Sequence, residues 1–219
     1  MNCVTAGDMK FRSLIPRLSS AALILAACLG FTSCGTTPKT TSRGNTGDSF
    51  DPPAHRPKNP SAVVVKVSTS AQRVYVVENG RVLLATPCSV GTGGLTGQVD
   101  YRINSKIANK RRASSPGAGY PMAYWQEWKP AYGMHWGFVK PYPCTHGCIR
   151  LPMKSAAKIF AMTQVGTPLL IHASHPEDAT AGKSLPVIDD GPVPNPPDSY
   201  LQSAKFFQDA QYKGSMFVD

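Results

Sequence analysis

The sequence is short of charged residues, of aromatic residues and of long apolar runs. Charged residues make up 16% of the 219 positions and aromatic residues 9%, whereas the chain holds 19 glycines and 20 prolines. Such a composition does not fit a coiled coil or a fully disordered chain. No internal repeat is visible either. The composition therefore predicts one globular domain with loose ends.

An apolar run lies near the N-terminus, between Ala21 and Phe31. It is too short to span a bilayer as an ordinary membrane helix. Basic side chains precede it and small residues flank it, which is typical of the apolar region of a secretory signal. Residues 1–33 are therefore predicted to be a signal peptide, and Met9 is a more natural start for it than Met1.

Two cysteines near the end of this run, Cys28 and Cys34, each resemble the lipidated cysteine of a bacterial lipoprotein. Leu25 at the −3 position favours Cys28. The polar tract that follows Cys34 favours Cys34, which is preferred because cleavage at Cys28 would leave Phe31 stranded in a linker. The alternative is an ordinary signal with incidental cysteines. The resulting prediction is an exported protein of the periplasm or cell envelope, held to the membrane by a lipid.

Acidic residues are scarce, and the chain carries a formal charge of +10. Removing residues 1–33 deletes three Lys or Arg and one Asp, so the charge falls from +10 to +8. A basic exported protein attracts anionic polymers such as wall glycopeptide or lipid headgroups. No recognition motif for nucleic acid accompanies the charge, so nucleic acid is not a predicted partner. The densest basic stretch, residues 106–112, predicts either a docking patch or a solvated loop.

The remaining chain divides into a linker, a domain and a tail. Residues 34–60 are rich in Thr, Ser, Gly and Pro without an apolar period, which predicts a flexible linker. Residues 61–175 hold several short β-branched segments, two of them joined by Asn79-Gly80, the strongest short-range signal for a hairpin. Residues 176–219 form a predicted Pro-rich tail.

Two further patterns complete the predicted fold. Between residues 105 and 133 the alternation is lost among five aromatic residues, which predicts either an aromatic cleft wall or a long loop pinned to the core. The clearest helix runs from Pro152 to Thr163, with the proline suited to its first turn. The pattern as a whole predicts a mainly β fold with one or two short helices.

The residues most suited to chemistry surround Cys148. Gly147 beside it would let substrate approach the sulfur, and the guanidinium of Arg150 would favour the thiolate. His135 could act as the base, because cysteine and histidine partners meet from separate segments. A zinc site is not predicted, because the two cysteines of this segment lack a second well-spaced ligand pair. Export would allow a disulfide between Cys88 and Cys144, with two separate thiols as the equal alternative.

The segment Thr145-His-Gly-Cys-Ile-Arg150, with the upstream His135, resembles the signature of the L,D-transpeptidase catalytic domain family, of the YkuD type. The resemblance covers residues 62–172. Two features depart from the family pattern. Trp136 stands between the histidine and Gly137, where members commonly have glycine directly, and the spacing to Cys148 is short.

The resemblance implies a β-sandwich-like fold and a cysteine-dependent acyl transfer on peptidoglycan stem peptides, without a cofactor or metal. Cys148 would attack the carbonyl between the third and fourth stem residues, release D-alanine and form a thioester. A backbone carbonyl just past His135 would orient its ring, so no carboxylate is required. Indeed no Asp or Glu lies between Glu127 and Glu177.

The same resemblance assigns the remaining residues of the site. Backbone amides of Gly147 and Cys148 would form the oxyanion hole, with His146 either assisting them or serving a purely structural role. Arg150 would support the thiolate or hold a substrate carboxylate, or it could instead form a structural ion pair.

Two other functions remain open from the sequence. One is a peptidoglycan-binding lipoprotein without catalysis, which the intact Cys148, His135 and Arg150 argue against. The other is an unrelated cysteine peptidase, although in papain-like enzymes the cysteine usually precedes its histidine, whereas here the order is reversed.

Overall fold

Two β-sheets enclose the core of the protein. The structure is a computed structural model that describes residues 47–114, 119–191 and 196–219. The predicted signal peptide and both candidate lipidation sites, Cys28 and Cys34, lie outside the described residues.

The first sheet has five strands, in the spatial order β3-β2-β1-β9-β4. β1 pairs in parallel with β9, and the other pairings in this sheet are antiparallel. Its strands are β1 (Val63–Ser68), β2 (Arg73–Glu78), β3 (Arg81–Pro87), β4 (Asp100–Arg102) and β9 (Pro168–His172).

The second sheet has four strands in the order β5-β6-β7-β8, with β5 at its edge. β7 and β8 run in parallel, and the other neighbours are antiparallel. Its strands are β5 (Ser105–Arg111), β6 (Pro121–Lys129), β7 (Tyr132–Trp136) and β8 (Ile149–Leu151). Side chains from both sheets contribute to a single apolar core, as burial of one face of each sheet requires.

The described residues also contain three short α-helices, so the predicted mainly β fold is confirmed. They are α1 (Met153–Met162), α2 (Asp198–Leu201) and α3 (Ala204–Asp209), with single 3-10 turns at Pro60–Ala62, Thr92–Gly94 and Pro176–Ala179. α1 begins directly after Pro152, within one residue of the predicted start, and buries Ala156 and Ile159 against the sheets. Within the described part of the chain, no helix has the length and apolar character needed to cross a membrane.

Of the two alternatives for residues 105–133, the long loop is wrong, because β5 and β6 lie there. The aromatic cleft wall agrees with the structure, since Tyr120 and Trp125 line a cavity. Tyr124 has a φ of +60°, which interrupts the regular alternation of side chains along β6. Tyr120 and Met122 before it and Trp125 and Glu127 after it consequently line the same cavity. A pattern search with a strict period of two misses such a strand.

Residues on both sides of the predicted domain pack against it. Ala54 is completely buried, and Asp51 accepts a hydrogen bond from Lys158 on α1 at 2.7 Å. Leu201 and Phe206, on α2 and α3, are 6% and 4% exposed and join the apolar core. The ends of the described chain therefore cover apolar surface that the strands alone would leave exposed to water.

The hairpin between β2 and β3 tests the prediction that its turn requires positive φ angles. Asn79 and Gly80 both have positive φ, at +49° and +80°, as the predicted turn requires. No atom lies within 4 Å of a Cβ built on Gly80, so a substitution there meets only backbone strain. We expect Gly80→Ala to lower the free energy of unfolding by about 1 kcal/mol, measured by urea unfolding. Asn79→Gly is the matched control and should leave stability nearly unchanged, and an unshifted midpoint for Gly80→Ala would contradict the argument.

Candidate active site

The parallel pairing of β7 with β8 places three of the predicted site residues on one side of the second sheet. His135 is the register partner of Arg150, and Cys148 precedes β8 by one residue. Alternate residues of an extended chain point to the same side, so Cys148 and Arg150 share the side of His135. All three line a single cavity of about 890 Å³.

His135 is held in one orientation by the main chain. Its Nδ1 lies 2.5 Å from the carbonyl oxygen of Trp136, and the ring stacks on Trp125 at a centroid distance of 5.5 Å. A carbonyl oxygen only accepts hydrogen bonds, so Nδ1 carries the hydrogen and Nε2 keeps its lone pair. The backbone carbonyl that the resemblance implied is therefore present, at Trp136.

The imidazole of His135 is uncharged at neutral pH. Only 3% of the residue is exposed, and burial lowers the pKa of His135 to about 4. The carbonyl of Trp136 opposes this shift, while the positive charge of Arg150 adds to it. A neutral ring with a free Nε2 can accept a proton across the ordinary range of pH.

The thiol of Cys148 is also uncharged, because burial outweighs the charge of Arg150, which favours the thiolate as expected. Burial raises the pKa of Cys148, and the opposing effects of the Gly133 amide and the Arg150 charge are smaller. The sulfur lies 3.9 Å from the carbonyl oxygen of Ala131, a partner that accepts from a thiol and repels a thiolate. The site therefore holds a neutral thiol and a neutral imidazole.

A tight turn presents the sulfur. Thr145 Oγ1 accepts from the amide of Gly147 at 3.1 Å and donates to the carbonyl of Cys148 at 2.6 Å. Gly147 has a φ of +118°, and a Cβ there would overlap the ring of Tyr132. Glycine is thus required both by the backbone and by Tyr132.

The predicted oxyanion donors differ in whether they are free to bind a substrate oxygen. The amide of Gly147 is already engaged by Thr145, which removes it from the free donors in this conformation. His146 is exposed and lines the cavity. The amide of Cys148 is the remaining backbone donor of the predicted set.

Arg150 faces the cavity without a carboxylate partner. Its aliphatic stem packs on Gly137, where a Cβ would lie 2.8 Å from Cγ, and Nη1 lies 4.0 Å from the sulfur of Cys144. In the part of the chain that the structure describes, no carboxylate lies within 4.0 Å of the guanidinium, so the structural ion pair is not observed. Gly137, displaced by one position from the family pattern, accommodates this arginine.

The other cysteines that the structure describes are separate thiols. Cys88, Cys144 and Cys148 are all free, and Cys88 is buried to 1% exposure. Burial also raises the pKa of Cys88. Of the two alternatives left open by the sequence, the structure has the unpaired one. Among the described residues, no group of three His, Cys, Asp or Glu side chains could hold a metal ion.

The basic stretch at residues 106–112 is not a solvated loop, because most of it forms β5. Lys106 donates to the carbonyls of Phe160 and Thr163 at the end of α1, and Arg111 donates to three carbonyls elsewhere. Other side chains of this stretch reach the cavity, together with groups from β6 and α2 that no sequence signal identified. The additional charged residues of the cavity are Lys110, Arg112, Glu127 and Asp198.

The family model described as the L,D-transpeptidase catalytic domain matches residues 62–171, half of the chain. Similar solved structures include an L,D-transpeptidase from Stackebrandtia nassauensis, at 22% identity and a TM-score of 0.47, covering 56% of this chain and 60% of that one. Another is an L,D-transpeptidase from Xylanimonas cellulosilytica, at 21% identity and a TM-score of 0.47, covering 53% of this chain and 63% of that one. L,D-transpeptidase 1 of Mycobacterium tuberculosis is 25% identical with a TM-score of 0.43, and the match covers 51% of this chain and 62% of that one.

The chain spans about 60% of the length of these solved chains. No curated protein matches it. The motif around Cys148, the two-sheet fold and the family model over half of the sequence agree with one another. On these grounds, the chain belongs to the family of L,D-transpeptidase catalytic domains.

Proposed function

We propose that the protein is a cysteine-dependent L,D-transpeptidase that acts on peptidoglycan stem peptides through a thioester on Cys148. The observation that carries the proposal is the tautomer of His135, whose Nδ1 hydrogen is held by Trp136 so that Nε2 is left as a base in the cavity of Cys148. Membership of the L,D-transpeptidase family supports the reaction type.

The first step is attack on the donor. Because both groups are neutral at rest, the Cys148 proton passes to Nε2 of His135 as the sulfur bonds to the peptide carbonyl carbon. The negative charge then moves to the carbonyl oxygen. The amide of Cys148 and the side chain of His146 are the proposed donors to that oxygen, and one such donor typically supplies about 3 kcal/mol.

Collapse of this intermediate completes acylation. The carbonyl re-forms, the bond from carbon to nitrogen breaks, and the imidazolium of His135 returns its proton to the departing D-alanine amine. Arg150 and the Trp136 carbonyl act oppositely on this transient charge. The carbonyl stabilises the imidazolium, whereas the guanidinium keeps it acidic enough to give up the proton.

Deacylation runs the same proton transfers in the reverse direction. An amine on a second stem peptide or a wall protein attacks the thioester, loses its proton to His135 and releases the sulfur of Cys148. Water in place of the amine would give hydrolysis, an L,D-carboxypeptidase side activity. Crosslinking, exchange and attachment of wall proteins therefore share one acyl-enzyme and differ in the acceptor.

We also propose that the protein is exported to the periplasm or cell envelope and anchored by lipid at Cys34 or Cys28. The supporting features are the apolar run after a basic segment, the two lipoprotein-like cysteines and the positive charge expected of the mature chain. These features would bring the site to the peptidoglycan near the membrane.

Removal of the nucleophile tests the proposal directly. L,D-transpeptidase 1 of M. tuberculosis has been solved in complex with imipenem, so a carbapenem is a suitable probe of the acyl-enzyme. We expect one imipenem adduct on the wild-type protein by intact-protein mass spectrometry and none on Cys148→Ala. Transfer of stem tetrapeptides should fall by about a thousandfold or more, as for loss of other nucleophiles.

Cys144→Ala is the matched control, because Cys144 lies four residues from Cys148 and is also partly exposed. It should keep the adduct and most of the activity. An adduct that persists on Cys148→Ala, or muropeptides that the wild-type protein leaves unchanged, would overturn the proposed function.

The protonation states predict an unusual pH dependence. Because the pKa of His135 is lowered to about 4, the base stays competent until the pH falls to about 4 rather than 6.5. The acid limb of kcat/KM, which reports the free enzyme, should therefore lie near pH 4. Because the pKa of Cys148 is raised, alkylation by iodoacetamide should accelerate only above the ordinary thiol value of about 8.5.

Both measurements are best made on Cys144→Ala, so that Cys148 is the one partly exposed thiol of the described residues. A thiolate–imidazolium pair at rest would behave differently, since alkylation would then stay fast down to about pH 5. That result, or an acid limb near 6.5, is the outcome that rules out a neutral pair.

A further inference from the structure

The active-site cavity is lined by an unusual set of charges. Lys110, Arg112 and Arg150 are cationic, and Glu127 and Asp198 are anionic. Among the residues that the structure describes, none of the five has an opposite charge within 4.0 Å. Charges around a cavity interact strongly with a bound ligand when they have no partner within the protein.

Several carboxylates outside the cavity have a lysine partner. Asp51, Asp189 and Asp209 each lie within 4.0 Å of a lysine, at 3.5 Å or less for Asp51 and Asp209 and 3.7 Å for Asp189. Asp198 is exposed like Asp189 yet has no such partner. Because Asp198 lines the cavity, its unpaired carboxylate is available to a group on the ligand.

Asp198 reaches the cavity because α2 is tied to the second sheet by Arg111. Its Nη1 donates to the carbonyls of Gly119 and Leu201, and Nη2 donates to the carbonyl of Ser203, all at 2.9 Å. The guanidinium also lies 4.8 Å from the ring of Phe207. One side chain at the end of β5 thus fixes both ends of the turn between α2 and α3.

Apolar contacts hold the same segment from the other side. The Phe206 ring lies 4.7 Å from that of Trp136, the residue whose carbonyl orients His135. Tyr124 donates to the carbonyl of Ala210 at 2.9 Å, and Leu201 is buried while lining the cavity. The C-terminal segment is therefore a built wall of the site rather than a loose tail.

We propose that Asp198 is a specificity-determining residue that selects acyl donors carrying a free ammonium group, and that Arg111 is the positioning residue that presents it. The proposal rests on the proposed function, since it concerns the donor that acylates Cys148. The cationic side of the cavity, formed by Lys110 and Arg112, would take the carboxylates of the same peptide. The negative charge of Asp198 would attract an ammonium group on the donor and would not attract a neutral or purely anionic donor.

The test compares two donors and one half-reaction. The donors are a stem tetrapeptide with a free side-chain amine on the residue whose carbonyl is attacked, and the same peptide acetylated on that amine. The rate of acyl-enzyme formation on Cys148 is followed by rapid quench and intact-protein mass spectrometry, which avoids any effect of the acceptor. Wild-type protein should prefer the free-amine donor by about fivefold, the value expected of one partly exposed ion pair.

Asp198→Asn should abolish that preference by slowing acylation by the free-amine donor alone. The donor concentration that gives half the maximal rate should rise, whereas the maximal rate should stay the same. Asp198 is exposed, so the variant should unfold at the wild-type temperature. Asp189→Asn is the matched control, because Asp189 is also an exposed carboxylate but does not line the cavity. It should retain the fivefold preference.

Arg111→Gln should reduce the preference as well, and in the Asp198→Asn background it should change the ratio of the two donors no further. A purely structural role of Arg111 would slow both donors equally and leave their ratio at the wild-type value. An unchanged ratio in Asp198→Asn overturns this inference and leaves the proposed function intact. Failure of both donors to acylate the wild-type protein overturns the proposed function and the inference together.

Discussion

The parallel pairing of β7 with β8 is the constraint on which the site depends. It brings His135 and Cys148 into one cavity, although thirteen positions separate them in the sequence. Parallel strands cannot be joined by a tight hairpin, so the connection between them has to cross over. That connection is tied to Ser89 Oγ, the carbonyl of Val90 and the carboxylate of Asp190 by hydrogen bonds of 2.7 to 3.1 Å. The crossover is therefore as well supported as the strands.

Trp136 couples the catalytic pair to the packing of the rest of the molecule. Its carbonyl holds the ring of His135, and its own ring packs between Tyr120 and Phe206. An uncharged cysteine at rest is also a poor target for oxidation, because the thiolate is the reactive form. The same burial that delays ionisation thus preserves the nucleophile until a substrate carbonyl is present.

The sequence was sufficient to identify the parts of the protein that depend on local chemistry. Asn79-Gly80 predicted its hairpin because few residues accept positive φ, and the segment ending at Arg150 predicted the family. Burial was not readable from the sequence, and so the dominant influence on the pKa of Cys148, which burial raises, could not be predicted. Asp198 could not be predicted as part of the cavity, because it lies fifty residues beyond Cys148 and reaches the site through tertiary contacts alone.

The composition of β5 explains why this strand was hard to recognise in the sequence and how its exposed edge avoids aggregation. As an edge strand it carries lysines and an arginine where a central strand would carry apolar residues, which hides it from a search for apolar alternation. An open edge of this kind is where sheets of separate molecules join to form aggregates. The charges along β5 oppose that joining, so separate molecules should remain dispersed even at high concentration.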